Sequence, residues 1–229
     1  MALDHVDHVD DSDHRIVTDA VAAAERHTCG EIVTIVTDLS DHYDDIGIAW
    51  ATVTAFLALA SIAMFPAFFL DNLSRFSGGW EHEYSAGEYL ALVFVVMAVI
   101  WAAMWFLMQS IPIRMALTPR PIRQKRVRAR AISMFKVGTE SKTVGRTGVL
   151  LYLSMKEHRA EIVADEAIAK KVDPAIWGDA MISMLDHVKA GRTGEGMAEA
   201  VRQMGVVLAE HFPRGSENPN ELPDRLIEL

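Results

Sequence analysis

The chain has one cysteine in 229 residues, Cys29, so no internal disulfide can form and nothing in its cysteine usage calls for an oxidising compartment. It contains no P-loop, GxSxG, HExxH or CxxC pattern, which removes support for the hydrolases and redox enzymes that carry those signatures. A third lack shapes the whole chain: residues 46–70 and 89–113 hold no Asp, Glu, Lys, Arg or His. A helix needs roughly 20 apolar residues to cross the hydrocarbon of a bilayer, and a buried soluble helix rarely runs so far without charge. Both runs reach that length and are predicted to form a two-helix transmembrane hairpin, 46–113. Spans this free of ionisable groups argue against a transporter or proton path.

Charge is unevenly spread. The formal net charge is −9, the first 45 residues are rich in Asp, and Arg114 to Lys136 holds eight Lys or Arg and no acid. The link between the apolar runs, 71–88, carries one basic residue, Arg75. Lys and Arg are retained on the cytoplasmic side, so both termini are expected in the cytoplasm and 71–88 outside. The amino terminus is acidic and lacks the basic and apolar regions of a cleaved signal, which leaves the first run as the expected insertion signal. Arg120, Arg123, Lys125, Arg126, Arg128 and Arg130 are the expected contacts to anionic lipid heads, at about 1 kcal/mol per basic residue near the surface. A basic run also suits nucleic acid; its place beside the bilayer favours lipid, and no nucleic-acid partner is expected.

What remains suffices for one soluble domain of ordinary size. Residues 1–11 have no apolar period and are expected as an acidic tail, and 213–229 as a polar tail. The domain is expected to be discontinuous, 12–45 and 114–212. Ile16, Val17, Ala20, Val21 and Ala24 recur at helical spacing over about 13–27, with Ser12 or Asp11 as N-cap. GEIVTIVTD then supplies a buried strand, Glu31 to Thr37. Prolines 112, 119 and 121 break the chain after the second run, and Ile122 to Phe135 is a basic amphipathic helix. Thr147 to Leu153 and Ala160 to Ala164 are strands joined by a charged turn. A short helix 167–172 follows, then helices from Asp173-Pro174 to about Ala190 and from about Gly194 to His211. A strand, a crossover and a second strand make a parallel pair, here with the membrane hairpin inside the crossover; the third strand returns antiparallel. The class is therefore α/β, with a small mixed sheet.

GEIVTIVTD at 30–38, RTGVLLYLSMKEHRAEIVADEAI at 146–168 and GRTGEGMAEAV at 191–201 resemble the TPM domain family, known from thylakoid-lumen and photosystem-repair proteins and from many bacterial membrane proteins. The resemblance implies a three-layer α/β/α sandwich, interrupted in this chain by the hairpin. It also implies the bacterial inner membrane as the place, with 71–88 periplasmic. Some members are reported as acid phosphatases or calcium binders. Their Asn-Asn-Gly-rich loop before the second strand is here Lys142 to Gly148, and the Gly-Tyr-Gly that often follows their third strand is here replaced by Asp165 and Glu166. These departures weaken any transfer of phosphatase chemistry.

If the first two strands are parallel, the start of the second and the end of the third share an edge. Arg146 and Thr147 then approach Asp165 and Glu166, with Cys29 and Glu31 on the same side. Asp165 and Glu166 are the candidate metal ligands, for calcium or magnesium; equally, Asp165 suits the N-cap of the following helix and Glu166 its first turn. Asp38, Asp41, Asp44 and Asp45, with His42 among them, form a second acidic group that is either a cation site at the headgroup level or a solvated linker. No cofactor is required by any motif. The reading is a membrane-anchored interaction or assembly module on the cytoplasmic face with an unidentified membrane-protein partner; the alternative is a weak metal-dependent acid phosphatase at the Asp165/Glu166 edge.

Overall fold

A computed structural model describes residues 9–76, 85–140, 147–173, 175–214, 222 and 224–229. The chain divides into two compact units, 1–41 with 120–229, and 42–119.

The first unit is built on a four-stranded mixed sheet in the order β3-β2-β1-β4. Strand β1, Glu31–Thr37, is buried along its whole length, as its Val/Ile run dictates, and pairs in parallel with β2, Gly148–Ser154, from Glu31 opposite Gly148 to Thr37 opposite Ser154. Strand β3, Arg159–Ala164, returns antiparallel to β2 through a turn in which His158 has positive φ. The final strand β4, Ile227–Glu228, pairs in parallel with β1 at Ile35 and Val36. The carboxy-terminal segment is therefore not the polar tail that its composition suggests. Leu222 and Leu226 are buried, and the backbone of 227–229 completes the open edge of β1, a cost otherwise left as unpaired donors and acceptors.

Side chains alternate across the sheet, and both faces are covered. Ile32, Val36, Val149, Leu151 and Leu153 join a core with helices α1, Asp11–Glu25, α8, Ile176–Lys189, and α9, Thr193–His211. Val33, Ile35, Leu150 and Tyr152 face Val127, Ala131 and Phe135 of α6, Arg120–Phe135. A cap at Asp10, which accepts from the Ser12 and Asp13 amides, starts α1 one residue earlier than an Asp11 cap and two earlier than a Ser12 cap would. Val9 is buried beside it, so the ordered core reaches into the stretch expected as tail; residues 1–8 lie outside the described residues. Helices α1 and α9 touch through Gly205, where a Cβ would sit 2.6 Å from that of Ala24. A short helix α7, Glu166–Ala169, links β3 to α8; Pro174, expected to open α8, lies outside the described residues.

The second unit holds α2, Asp44–Met64, α3, Pro66–Phe76, α4, Ala86–Leu107, and α5, Ile111–Leu117. Among the described residues α2 and α4 are long and apolar enough to cross a membrane by length and composition. The first apolar run is not one helix to residue 70. Pro66 has no amide hydrogen and disfavours helical backbone at Phe65, which sits at φ −129°, ψ 55°, so the helix breaks there and restarts. At the other end Pro112 does not break the chain but lies in the first turn of α5, where its missing N–H costs nothing.

Candidate functional site

The polar groups of the α/β unit gather at the two ends of the sheet. At the amino ends of β1 and β2, side chains fasten strand starts to one another. Gly148 N donates to Asp165 Oδ2 and Asp165 N to the Gly148 carbonyl, each at 2.9 Å. Thr147 Oγ1 donates to the Cys29 carbonyl at 3.0 Å, and Glu31 N to the Thr147 carbonyl at 3.1 Å. Asp165 is thus buried and bonded to the first amide of β2, while its neighbour Glu166 stands 68% exposed and pairs with Lys170 at 2.7 Å. Adjacent in sequence, the two carboxylates have separate surroundings. Among the described residues no three His, Cys, Asp or Glu side chains are grouped to hold a metal ion. Arg146, expected beside them, lies outside the described residues.

The same end of the sheet holds an acid that sequence reasoning passes over. Glu25, in the last turn of α1, is buried, and its Oε1 accepts from Ile32 N at 2.8 Å. Burial pushes its carboxyl up to about 8; the Ile32 amide pulls the other way, the charges of Glu31 and Asp224 add to the rise, and Arg214 opposes it. Glu31 is buried too and accepts from Leu222 N at 3.2 Å. A protonated Glu25 at neutral pH lets two acids share this corner.

Parallel sheets place ligand crevices beyond the carboxyl ends of their strands. Here that end is closed by its own groups. Glu157, 2% exposed in the β2–β3 turn, accepts from Ser40 N at 3.0 and 3.2 Å and from the Ser154 hydroxyl. The Ser40 hydroxyl and Tyr152 phenol lie 3.0 Å apart, and burial raises the phenol above its usual range, against Ser40 and Arg130. Lys156 pairs with Asp38 and Arg126 with Asp41, both at 3.0 Å. Glu157 reads in the sequence as one charge of a plain turn; the return of residue 40 to that turn adds a backbone amide to its Ser154 partner.

In the helical unit Asp44 of the Asp38–Asp45 group pairs with Arg114, whose guanidinium also donates to the His42 carbonyl. Of the basic residues assigned to lipid, Arg120 and Lys125 are exposed, Arg126 is spoken for by Asp41, and Arg128 pairs with Glu161 at 3.3 Å. Arg130 leans on Tyr152, and Arg123 has a buried Nε without a hydrogen bond. Trp101 and Trp105 stack at 6.3 Å, and Trp101 Nε1 donates to Thr52 Oγ1 at 3.4 Å, which marks the face where α4 meets α2.

A small mixed sheet with helices on both faces, reached through a crossover that carries two apolar helices, defines the class: an α/β protein whose domain is discontinuous in sequence. The comparison of sequences adds a family likeness for part of the chain. Residues 110–207 match the TPM domain, the stretch that holds α5, α6, β2, β3, α7, α8 and most of α9. No curated protein matches it. Among solved structures it is similar to the BA42 protein of the psychrophilic bacterium Bizionia argentinensis, determined by NMR, at TM-score 0.55 and 15% identity, over 100% of this chain and 99% of that one. At that identity the likeness concerns the fold.

Proposed function

We propose that the chain is a membrane-anchored interaction or assembly module: a TPM domain in a three-layer α/β/α arrangement, held at the cytoplasmic face of a bacterial inner membrane by a two-span hairpin with 71–88 periplasmic. The observation that carries this reading is α4. Its 22 residues form a continuous apolar helix, and none of them is buried within the chain. Phe94, Val95, Val99 and Phe106 are all exposed, and aqueous exposure of such a surface at about 25 cal/mol per Å² is a cost that lipid removes. The basic excess after α4, against Arg75 alone in the link, supports the orientation. For the domain, support for interaction over turnover comes from how its polar groups are used. Asp165, Glu157 and Glu31 each accept from backbone amides, and so act as fasteners of the fold.

Alkaline extraction of membranes followed by in-membrane crosslinking and pulldown tests the proposal. The chain should stay in the pellet and yield a defined membrane-protein adduct. Extraction into the supernatant, or metal-dependent phosphate-ester turnover that disappears in Asp165→Asn, would overturn it.

A further inference from the structure

Arg114, on α5, is 6% exposed although it belongs to the helical unit's polar end. Its Nε donates to the Met108 carbonyl at 2.7 Å, and its Nη1 to the His42 carbonyl and to Asp44 Oδ1. One planar fork thereby ties the segment that enters α2 to the segment that leaves α4, which suits arginine and not lysine. Its Nη2 makes no hydrogen bond among the described residues. Beside the guanidinium opens a hollow of about 290 Å³ with Ile48, Trp105 and Met108 as its apolar wall and Asp44, Gln109 and Arg114 as its polar groups.

The hollow lies where both apolar helices end: Asp44 is the first residue of α2, and Met108 follows the last residue of α4. In the membrane reading given above, on which this inference rests, that level is the headgroup layer, where an indole ring is favoured. Basic pockets between spans on the cytoplasmic side take anionic lipid heads; this hollow carries a carboxylate beside its guanidinium. Charge decides which head fits. Arg114 and Asp44 already neutralise each other, so a net anion would meet a carboxylate as well as a guanidinium. A head that carries both signs meets both, with its phosphate toward Arg114 and Gln109 and its cation toward Asp44, whose side chain is 76% exposed. A primary ammonium can donate hydrogen bonds to that carboxylate; a quaternary one cannot. We propose that this hollow binds the phosphoethanolamine head of a phosphatidylethanolamine-type lipid in the cytoplasmic leaflet.

The test uses the full chain, purified in detergent and offered an equimolar mixture of dioleoyl phosphatidylethanolamine, phosphatidylglycerol and phosphatidylcholine, with bound lipid read by native mass spectrometry. Phosphatidylethanolamine should exceed each of the others by about fivefold, the ratio that roughly 1 kcal/mol gives. Asp44→Asn should abolish the preference for phosphatidylethanolamine and leave phosphatidylglycerol, now facing an unneutralised guanidinium, at least its equal. Ile48→Trp, which fills the hollow from its rim, should remove the bound lipid with helical content unchanged, and keeps the test decisive if the clasp loosens in the first variant. Equal binding by the unaltered chain, a preference that survives both variants, or retention of soluble phosphoethanolamine as tightly as the lipid would overturn the proposal. Alkaline extraction run in parallel separates the two readings: a chain that stays in membranes but shows no selectivity refutes the lipid site alone, whereas release from membranes refutes both.

Discussion

Replacing Glu25 by Gln should change how stability depends on pH, because this acid is folded into a place that disfavours its charge. Its carboxyl rises from an ordinary 4.5 to about 8, chiefly through burial, with the charges of Glu31 and Asp224 behind the rise and the Ile32 amide and Arg214 against it. Folding therefore takes up a proton between those two values. The stability of the protonated state is complete below about pH 4.5 and is lost as pH rises through about 8. A shift from 4.5 to about 8 sets a ceiling near 5 kcal/mol at about 1.4 kcal/mol per unit, and water reaching the partly open corner reduces it to about 2–4 kcal/mol. Glutamine keeps an oxygen for the Ile32 N–H and has no charge to bury. The assay is urea unfolding of the full chain in detergent micelles, read by pulse proteolysis from pH 5.5 to 9, for the native and Glu25→Gln proteins. Subtracting one curve from the other cancels the histidines and every other titrating group common to both. From pH 5.5 to about 8 some 2.5 pH units are traversed, so the native protein should lose about 1.5–3 kcal/mol relative to the variant. A difference that stays flat, or that favours the native protein at high pH, would refute the reasoning.

Further perturbations follow from single contacts. Gly205→Ala sets a methyl 2.6 Å from the Ala24 Cβ and should cost about 1–3 kcal/mol in urea unfolding, with Ala24→Gly on the same chain recovering much of it. Leu151→Ala empties a fully buried site in the central strand β2 and should cost about 2–5 kcal/mol by the same measurement. Asp165→Ala leaves the buried Gly148 N–H without its acceptor, at about 1–3 kcal/mol. If Asp165 only fastens the strand, calcium should leave the melting temperature of both proteins unchanged; a calcium-dependent rise confined to the native protein would make it a ligand. Removing residues 227–229 strips β4 from the sheet, and amide exchange at residues 35–37 should then accelerate, whereas unchanged protection there would mean that β1 does not depend on that edge.

The features legible in the sequence were those carried by a period or by a run. Glu31 to Thr37 reads as a buried strand because seven successive residues are β-branched or followed by one, and burial on both faces needs just such a run. The two apolar runs announce α2 and α4 for a similar reason. What the sequence hid depends on closure of the chain. Strand β4 is two residues in a polar, proline-containing stretch, and its backbone, not its composition, completes β1. Glu25 sits in a helical pattern as an ordinary charged position; its surroundings arise only when Arg214 and Asp224, some two hundred positions on, come to the end of α1. Asp165 and Glu166 look like a pair by adjacency, yet one turns into the β2 start and the other into solvent. Arg114 counts toward the basic excess, and its true neighbours, His42 and Asp44, are some seventy positions away. The effect of proline depends on place: Pro66, inside a run expected as one span, breaks the helix, whereas Pro112, expected as a break, lies in the first turn of one.

The central claim is that the hairpin crosses the membrane and leaves both halves of the domain on one side. Single cysteines placed at position 78 and at position 229 in a Cys29→Ser background, probed in intact cells with a membrane-impermeant maleimide, test it directly. Labelling at 78 in intact cells, with 229 labelled only after permeabilisation, is the predicted result; protection of both positions until permeabilisation, or the reverse pattern, would contradict the account.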